Sequence, residues 1–327
     1  MIEQVIIAVV ESLIVIALLL GGFAYMTLWE RKLVGRLQVR YGPNRVGPFG
    51  LLQPVADGIK LAFKEATQPR GADRWVYPLA PVISVFAAIS SYAVIPIGPT
   101  YNIFGRQIPL QIADVSVGIL FVLAMSSLGV YGIVLAGWGS NNKYSLLGGV
   151  RSSAQMVSYE LSLGLSLIGV LMIVGSLRLT DIVAAQERVP FILLQPLAFV
   201  IYAIAAIAEV NRAPFDLAEA ETELVAGYHT EYSGLKFACF FMAEYINMIT
   251  VSSVATTLFL GGWQGPFAPG PWWFFLKVFV LLSGFIWIRA TLPRVRYDRL
   301  MRLGWTFLLP LALLNIVLTA VGIVVLG

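Results

Sequence analysis

Apolar runs near 20 residues long, separated by connections in which the charges collect, set the rhythm of this chain. A helix needs about 20 such residues to cross roughly 30 Å of hydrocarbon. Eight runs qualify, at about 5–29, 76–97, 115–138, 152–175, 191–208, 235–260, 272–288 and 303–326. The pattern predicts an all-α polytopic membrane protein: one membrane domain over residues 1–327, with eight transmembrane helices. Trp29, Trp75, Trp138, Trp263, Trp272 and Trp305 stand near the ends of runs, as interfacial belts require. The first run is expected to stay as a span, because Glu3 and Glu11 replace the basic start of a cleavable signal.

One connection holds more than a turn. Over 49–65, Leu52, Val55, Ile59 and Ala62 fall on one helical face, and Gln53, Asp57, Lys60 and Lys64 on another. With charges inside and only about 17 residues, it reads as a helix lying in the membrane interface. A soluble amphipathic helix packed on a partner is the alternative. The preceding "RYGPNRVGPFG" bunches Pro and Gly and predicts a shaped, non-helical segment.

Composition agrees with a lipid-embedded chain: 58% of residues are hydrophobic and 12% charged, against about a quarter charged in soluble domains. Eighteen of the 22 Lys and Arg fall in alternate connections (30–75, 139–151, 209–236 and 289–302), which assigns those connections to the cytoplasm and both termini to the outer side. The same sorting explains the net charge of +4 without nucleic acid. One cysteine, Cys239, and one histidine, His229, exclude an internal disulfide, an iron–sulfur site or a histidine metal site. No phosphate-cradling glycine motif occurs. Metal and catalytic residues are therefore expected to be none in this chain alone, and any redox centre to come from another chain.

Six of the 18 acids (Glu209, Asp216, Glu219, Glu221, Glu223 and Glu231) crowd into 208–232. Carboxylates also enter the runs themselves, at Glu11, Glu160 and Glu244, where each charge costs roughly 2.5–3.5 kcal/mol on insertion scales. Glu160, Glu209 and Glu244 come from consecutive runs and share the cytoplasmic half of the membrane. They suit a chain of carboxylates that passes protons, or interhelical bonds that fix packing. Most hydroxyls within the runs are expected to bond their own backbone, and His229 to act as a loop hydrogen-bonder. Tyr159 and Tyr245 each stand beside a carboxylate to which they could donate. Two function classes follow: a stand-alone cation or proton transporter, or a membrane subunit of an enzyme with redox machinery on its cytoplasmic side. With no internal repeat and the polar mass at one end, the second is preferred.

The stretches "WERKLVGRLQVRYGPNRVGPFGLLQPVADGIKLAFKE", "GWGSNNKYSLLGGVRSSAQMVSYEL", "EVNRAPFDLAEAETELVAGYHTEY", "FMAEYIN" and "IRATLPRVRYDRLMRLGW" resemble the H-subunit family of NADH–quinone oxidoreductase, respiratory complex I. They run in family order from about residue 25 to 310. The resemblance implies a membrane subunit of a proton-pumping enzyme (a translocase) that reduces quinone, its substrate, and links that step to proton translocation. It implies Glu30, Arg31, Asp57, Arg212, Phe215, Arg289, Arg294 and Arg296 around a quinone chamber, and Glu160, Glu209, Glu221, Glu223 and Glu244 along a proton path. NADH, FMN and iron–sulfur clusters would belong to partner subunits. The partners would be the peripheral-arm subunits around the chamber, small membrane subunits and antiporter-like pumping subunits. The location would be a bacterial plasma (inner) membrane, in preference to a mitochondrial inner membrane. The equivalent subunit of a related membrane-bound hydrogenase is the alternative.

Overall fold

The computed structural model describes residues 2–103, 106–216 and 225–326. In chain order they form α1 (Ile2–Leu37), α2 (Gln53–Phe63), α3 (Val76–Ser91), a hairpin of β1 (Gly98–Ile103) and β2 (Arg106–Leu110), α4 (Gly118–Gly139), α5 (Lys143–Val174), α6 (Leu179–Ala184), α7 (Phe191–Leu194), α8 (Pro196–Glu209), α9 (Gly234–Phe259), α10 (Pro271–Thr291), α11 (Tyr297–Arg302) and α12 (Leu309–Leu326). A π-helical turn, Leu303–Leu308, joins the last two. Among the described residues, seven helices are long and apolar enough to cross a membrane: α1, α3, α4, α5, α9, α10 and the continuous α11–α12. This is an all-α polytopic membrane protein.

The eighth expected span, 191–208, is broken. Gln195, at φ −129 and ψ 52, separates α7 from α8. The 14 residues of α8 reach about 21 Å at ~1.5 Å per residue, short of a ~30 Å crossing. Pro196 lacks the N–H that a helix interior uses, so the chain restarts there. The break is stitched by polar groups: Gln195 Nε2 donates to Thr319 Oγ1 at 2.8 Å, and Asn315 Nδ2 donates to Gln195 Oε1 at 3.0 Å. All three residues are buried. Asn315→Leu strands the Gln195 oxygen, so we expect it to lower stability by about 1–3 kcal/mol, read as a fall in unfolding temperature in detergent.

Helix ends differ from the hydropathy boundaries because caps, not lipid, decide them. α1 continues past Trp29 to Leu37, and α5 begins at Lys143 rather than near 152. Asn142 starts it, its side chain accepting the Tyr144 N–H at 2.9 Å. Asp73 likewise accepts from Trp75 N and Val76 N ahead of α3, and those two bonds hold its carboxyl below the usual pKa. The hairpin, antiparallel with Tyr101 facing Ile108 across the strands, had no counterpart in the apolar pattern.

Helix α3 packs on α4, α4 on α5, and α5 on α8 and α12, while α9 bridges α3 to α10 and α1. The core between them holds Leu167, Ile201, Ile246, Leu258 and Phe259, all essentially excluded from solvent. A second apolar cluster, with Tyr77, Tyr232 and Phe240, lies where α3 and α9 meet the 225–233 segment. Helix α2 buries no residue; Leu52, Val55, Ile59 and Phe63 stay exposed. It is tied to α1 by Arg31 Nη1–Asp57 Oδ2 at 2.7 Å. Before it, Gly50 has φ +75, and a Cβ there would stand 2.3 Å from the Pro43 carbonyl oxygen. Only glycine fits that turn.

Candidate functional site

The site begins where α8 ends. The segment 210–216 leaves α8, and Gln155 on α5 holds both of its shoulders, donating to Ala208 O and Phe215 O at 2.7 Å each. This presents Arg212 to the interior, with only 7% of its side chain exposed. Its guanidinium makes ion pairs with Glu30 of α1, at 3.3 Å, and with Glu244 of α9. It also stacks 4.4 Å from the ring centre of Tyr245. Glu30 is held in turn by Arg289 of α10 and by the Tyr245 hydroxyl at 2.6 Å. Four segments thus converge on one alternating cluster of charge. Burial without such pairing would be prohibitive.

Beside the cluster opens a cavity of about 770 Å³, lined by Glu30, Arg31, Tyr245 and Arg289 together with Phe241 and Arg40. It has charged and aromatic walls and room for a planar organic ring. Asp57 stands behind Arg31 rather than in the wall. Phe215 is buried against Tyr159, ring centres 6.1 Å apart. Arg294 pairs with Asp216 at 3.2 Å. Arg296 is mostly exposed and pairs with Asp298 at 2.9 Å, away from the cavity.

On the other side of Arg212, Glu209 and Glu160 are gathered by neighbouring hydroxyls of α4: Ser126 donates to Glu209 and Ser127 to Glu160. Glu209 Oε2 is buried with no hydrogen-bond partner among the described residues. Two small cavities meet at Glu209 and Asn247. One, of about 30 Å³, reaches Glu244; the other, of about 40 Å³, is lined by Ser91, Ser126, Tyr202 and Thr250. Each is polar enough and large enough for about two waters. Glu221 and Glu223 lie outside the described residues. Glu231 accepts from Asn142 Nδ2 at 2.5 Å and so braces its segment against α5.

Several assignments from residue order change. The Tyr245 hydroxyl donates to Glu30 and not to its neighbour Glu244, and Tyr159 donates to Leu300 O at 2.9 Å rather than to Glu160. Residues adjacent on a helix point about 100° apart, so chain neighbours rarely bond each other. Most span hydroxyls do bond their own backbone, as Ser158, Ser252 and Thr256 show, but Ser126 and Ser127 reach across to carboxylates, with Ser127 also 3.1 Å from Leu123 O. Gln155, Asn247 and the serine pair carried no signal beyond being polar in apolar runs.

The family model described as NADH dehydrogenase matches residues 10–320. A protein of Thermomicrobium roseum, named as the H subunit of NADH-quinone oxidoreductase, is 57% identical, covering 97% of this chain and 96% of its own length. One from Geobacter sulfurreducens, named as a second H-type subunit of the same enzyme, is 59% identical over 90% of each chain. A third, from Syntrophobacter fumaroxidans and named in the same way, is 54% identical over 96% of this chain and 95% of its own. With its charge cluster set among seven apolar helices and relatives alike at more than half their positions, the chain belongs to the NADH dehydrogenase family.

Proposed function

We propose that this chain, as a membrane subunit of NADH–quinone oxidoreductase, forms part of the quinone chamber and links quinone reduction to proton translocation. The observation that carries the reading is Arg212. Its one guanidinium pairs with Glu30, which walls the large cavity, and with Glu244, which walls the water-sized one. Reducing a quinone takes two electrons and two protons and places transient negative charge near the cations around the cavity. A unit charge arriving ~4 Å from a guanidinium near a protein surface is worth roughly 4 kcal/mol, about a thousandfold in an equilibrium. That is enough to loosen one of the standing ion pairs and change which carboxylate holds a proton. Glu209 and Glu160 are the next acceptors, and Glu221 and Glu223 would complete the acidic mouth. Electrons would reach the quinone from an iron–sulfur cluster of a peripheral-arm subunit, fed by NADH and FMN there. The pumping subunits would take the signal onward along the membrane.

The test is Glu209→Gln in the assembled complex, alone and with Glu221→Gln and Glu223→Gln. Gln keeps the shape and the Ser126 contact but cannot titrate. We expect the single variant to lower coupled quinone reduction about tenfold or more, and the triple to abolish proton uptake into liposomes. Wild-type rates for both reactions in the triple variant would refute the reading.

A further inference from the structure

The small cavity between Glu209 and Glu244 has a third ionisable wall. His229 closes the 3₁₀ turn Gly227–His229 and is buried, with 6% of its surface exposed. Tyr228 and Phe237 hold its ring edge-on, with centres 3.9 and 5.8 Å away. Neither a hydrogen bond nor a charge from a described side chain acts on the imidazole; burial alone does, and pulls its pKa down from 6.5 to about 4. The expectation of a loop hydrogen-bonder is therefore not met. Buried polar groups are nearly always satisfied, by protein or by water. In this cavity Glu209 Oε2 is buried without a hydrogen-bond partner among the described residues, and the imidazole shares the same wall.

The titratable groups facing this cavity are Glu209 from α8, Glu244 from α9 and Tyr228 beside the imidazole; α3 contributes Ser84, and α4 and α5 contribute no charge. Glu244 is tethered to Arg212 and so is held in place. The cavity has room for about two waters, which would extend the reach of a proton passing between the two carboxylates and the imidazole.

We propose that His229 is a proton-relay residue: through water held in this cavity, its imidazole takes a proton from one of Glu209 and Glu244 and passes it to the other. In the forward step an O–H bond of the carboxylic acid breaks and an N–H bond forms on one ring nitrogen. The proton on the other nitrogen then leaves for the second carboxylate, which closes the balance without any further reactant. Because burial keeps the ring neutral near pH 7, the imidazolium is short-lived and does not trap the proton. This inference rests on the proton-linked function proposed above.

The test uses the whole complex in liposomes with His229→Phe, His229→Asn and Glu209→Gln made separately. Rates are normalised to assembled complex, measured from the co-purifying subunits. Phe keeps the aromatic packing and Asn keeps a hydrogen-bonding group, so neither packing nor polarity alone is lost in both. We expect both histidine variants to lower kcat for quinone reduction about tenfold, with KM for quinone unchanged and proton uptake reduced in step. Wild-type kcat in either histidine variant, or a change confined to KM, overturns the relay; with Glu209→Gln still slow, the proposed function stands without it. Wild-type rates in all three variants overturn both.

Discussion

Arg212→Leu is expected to be the most damaging single substitution in this chain. It removes a cation shared by Glu30 and Glu244 and leaves two carboxylates inside the protein, one of them still held by Arg289. Breaking a buried ion pair from one side costs about 3–5 kcal/mol, because the abandoned charge keeps its desolvation penalty. The readout is the unfolding temperature of the purified complex and the amount of this chain that assembles. Arg212→Lys is expected to recover little, since an ammonium lacks the planar fork that serves two carboxylates and stacks on Tyr245. Combining Arg212→Leu with Glu30→Gln and Glu244→Gln should restore much of the stability while leaving quinone reduction dead. If the triple variant is no more stable than Arg212→Leu, the stability argument fails, and packing, not charge, is what Arg212 provides.

The second large effect is expected at Gly148. A Cβ there would come within 2.7 Å of Gly227 Cα and 2.9 Å of Tyr228 N. Both are backbone, so no side chain can rotate out of the way. Helix α5 and the Gly227–His229 turn are in main-chain contact at this point. Gly148→Ala must push the turn off the helix, at a cost of about 1–3 kcal/mol typical of overpacking, and Gly148→Val more. The turn carries Tyr228 and His229, so the wall of the small cavity moves with it. The control lies on the same helix: a Cβ on Gly164 meets nothing within 4 Å. Gly164→Ala is expected to be neutral or slightly stabilising, since alanine is the better helix former by about 1 kcal/mol. Differential scanning of the two variants separates them; equal unfolding temperatures would remove the contact argument.

The fold class could be read from hydropathy because the bilayer imposes one strong rule, that lipid-facing helices be apolar for their whole length. That rule is silent where the chain leaves lipid. It missed the strand pair at Gly98–Leu110 and the polar first turns of α5, and it merged α7 and α8 into one run although Gln195 divides them. The candidate site was legible as a set of costly residues, because a carboxylate or guanidinium in an apolar context is conspicuous. Its wiring was not. That Arg212 joins Glu30 to Glu244 depends on segments more than 180 residues apart meeting in space, and that Ser126 and Ser127 serve two acids depends on which way α4 faces. Arg296 shows the opposite limit: it shares a motif with Arg294 yet points to a different neighbour.

The division at Gln195 bears on how the chain is made. A 14-residue helix with an amide at its head is a poor stop for the insertion machinery, and the residues that answer that amide, Asn315 and Thr319, are synthesised 120 and 124 residues after it. Biogenesis must therefore keep this segment sheltered until α12 has been made. A ribosome stalled before residue 309 would leave it unintegrated and open to proteolysis.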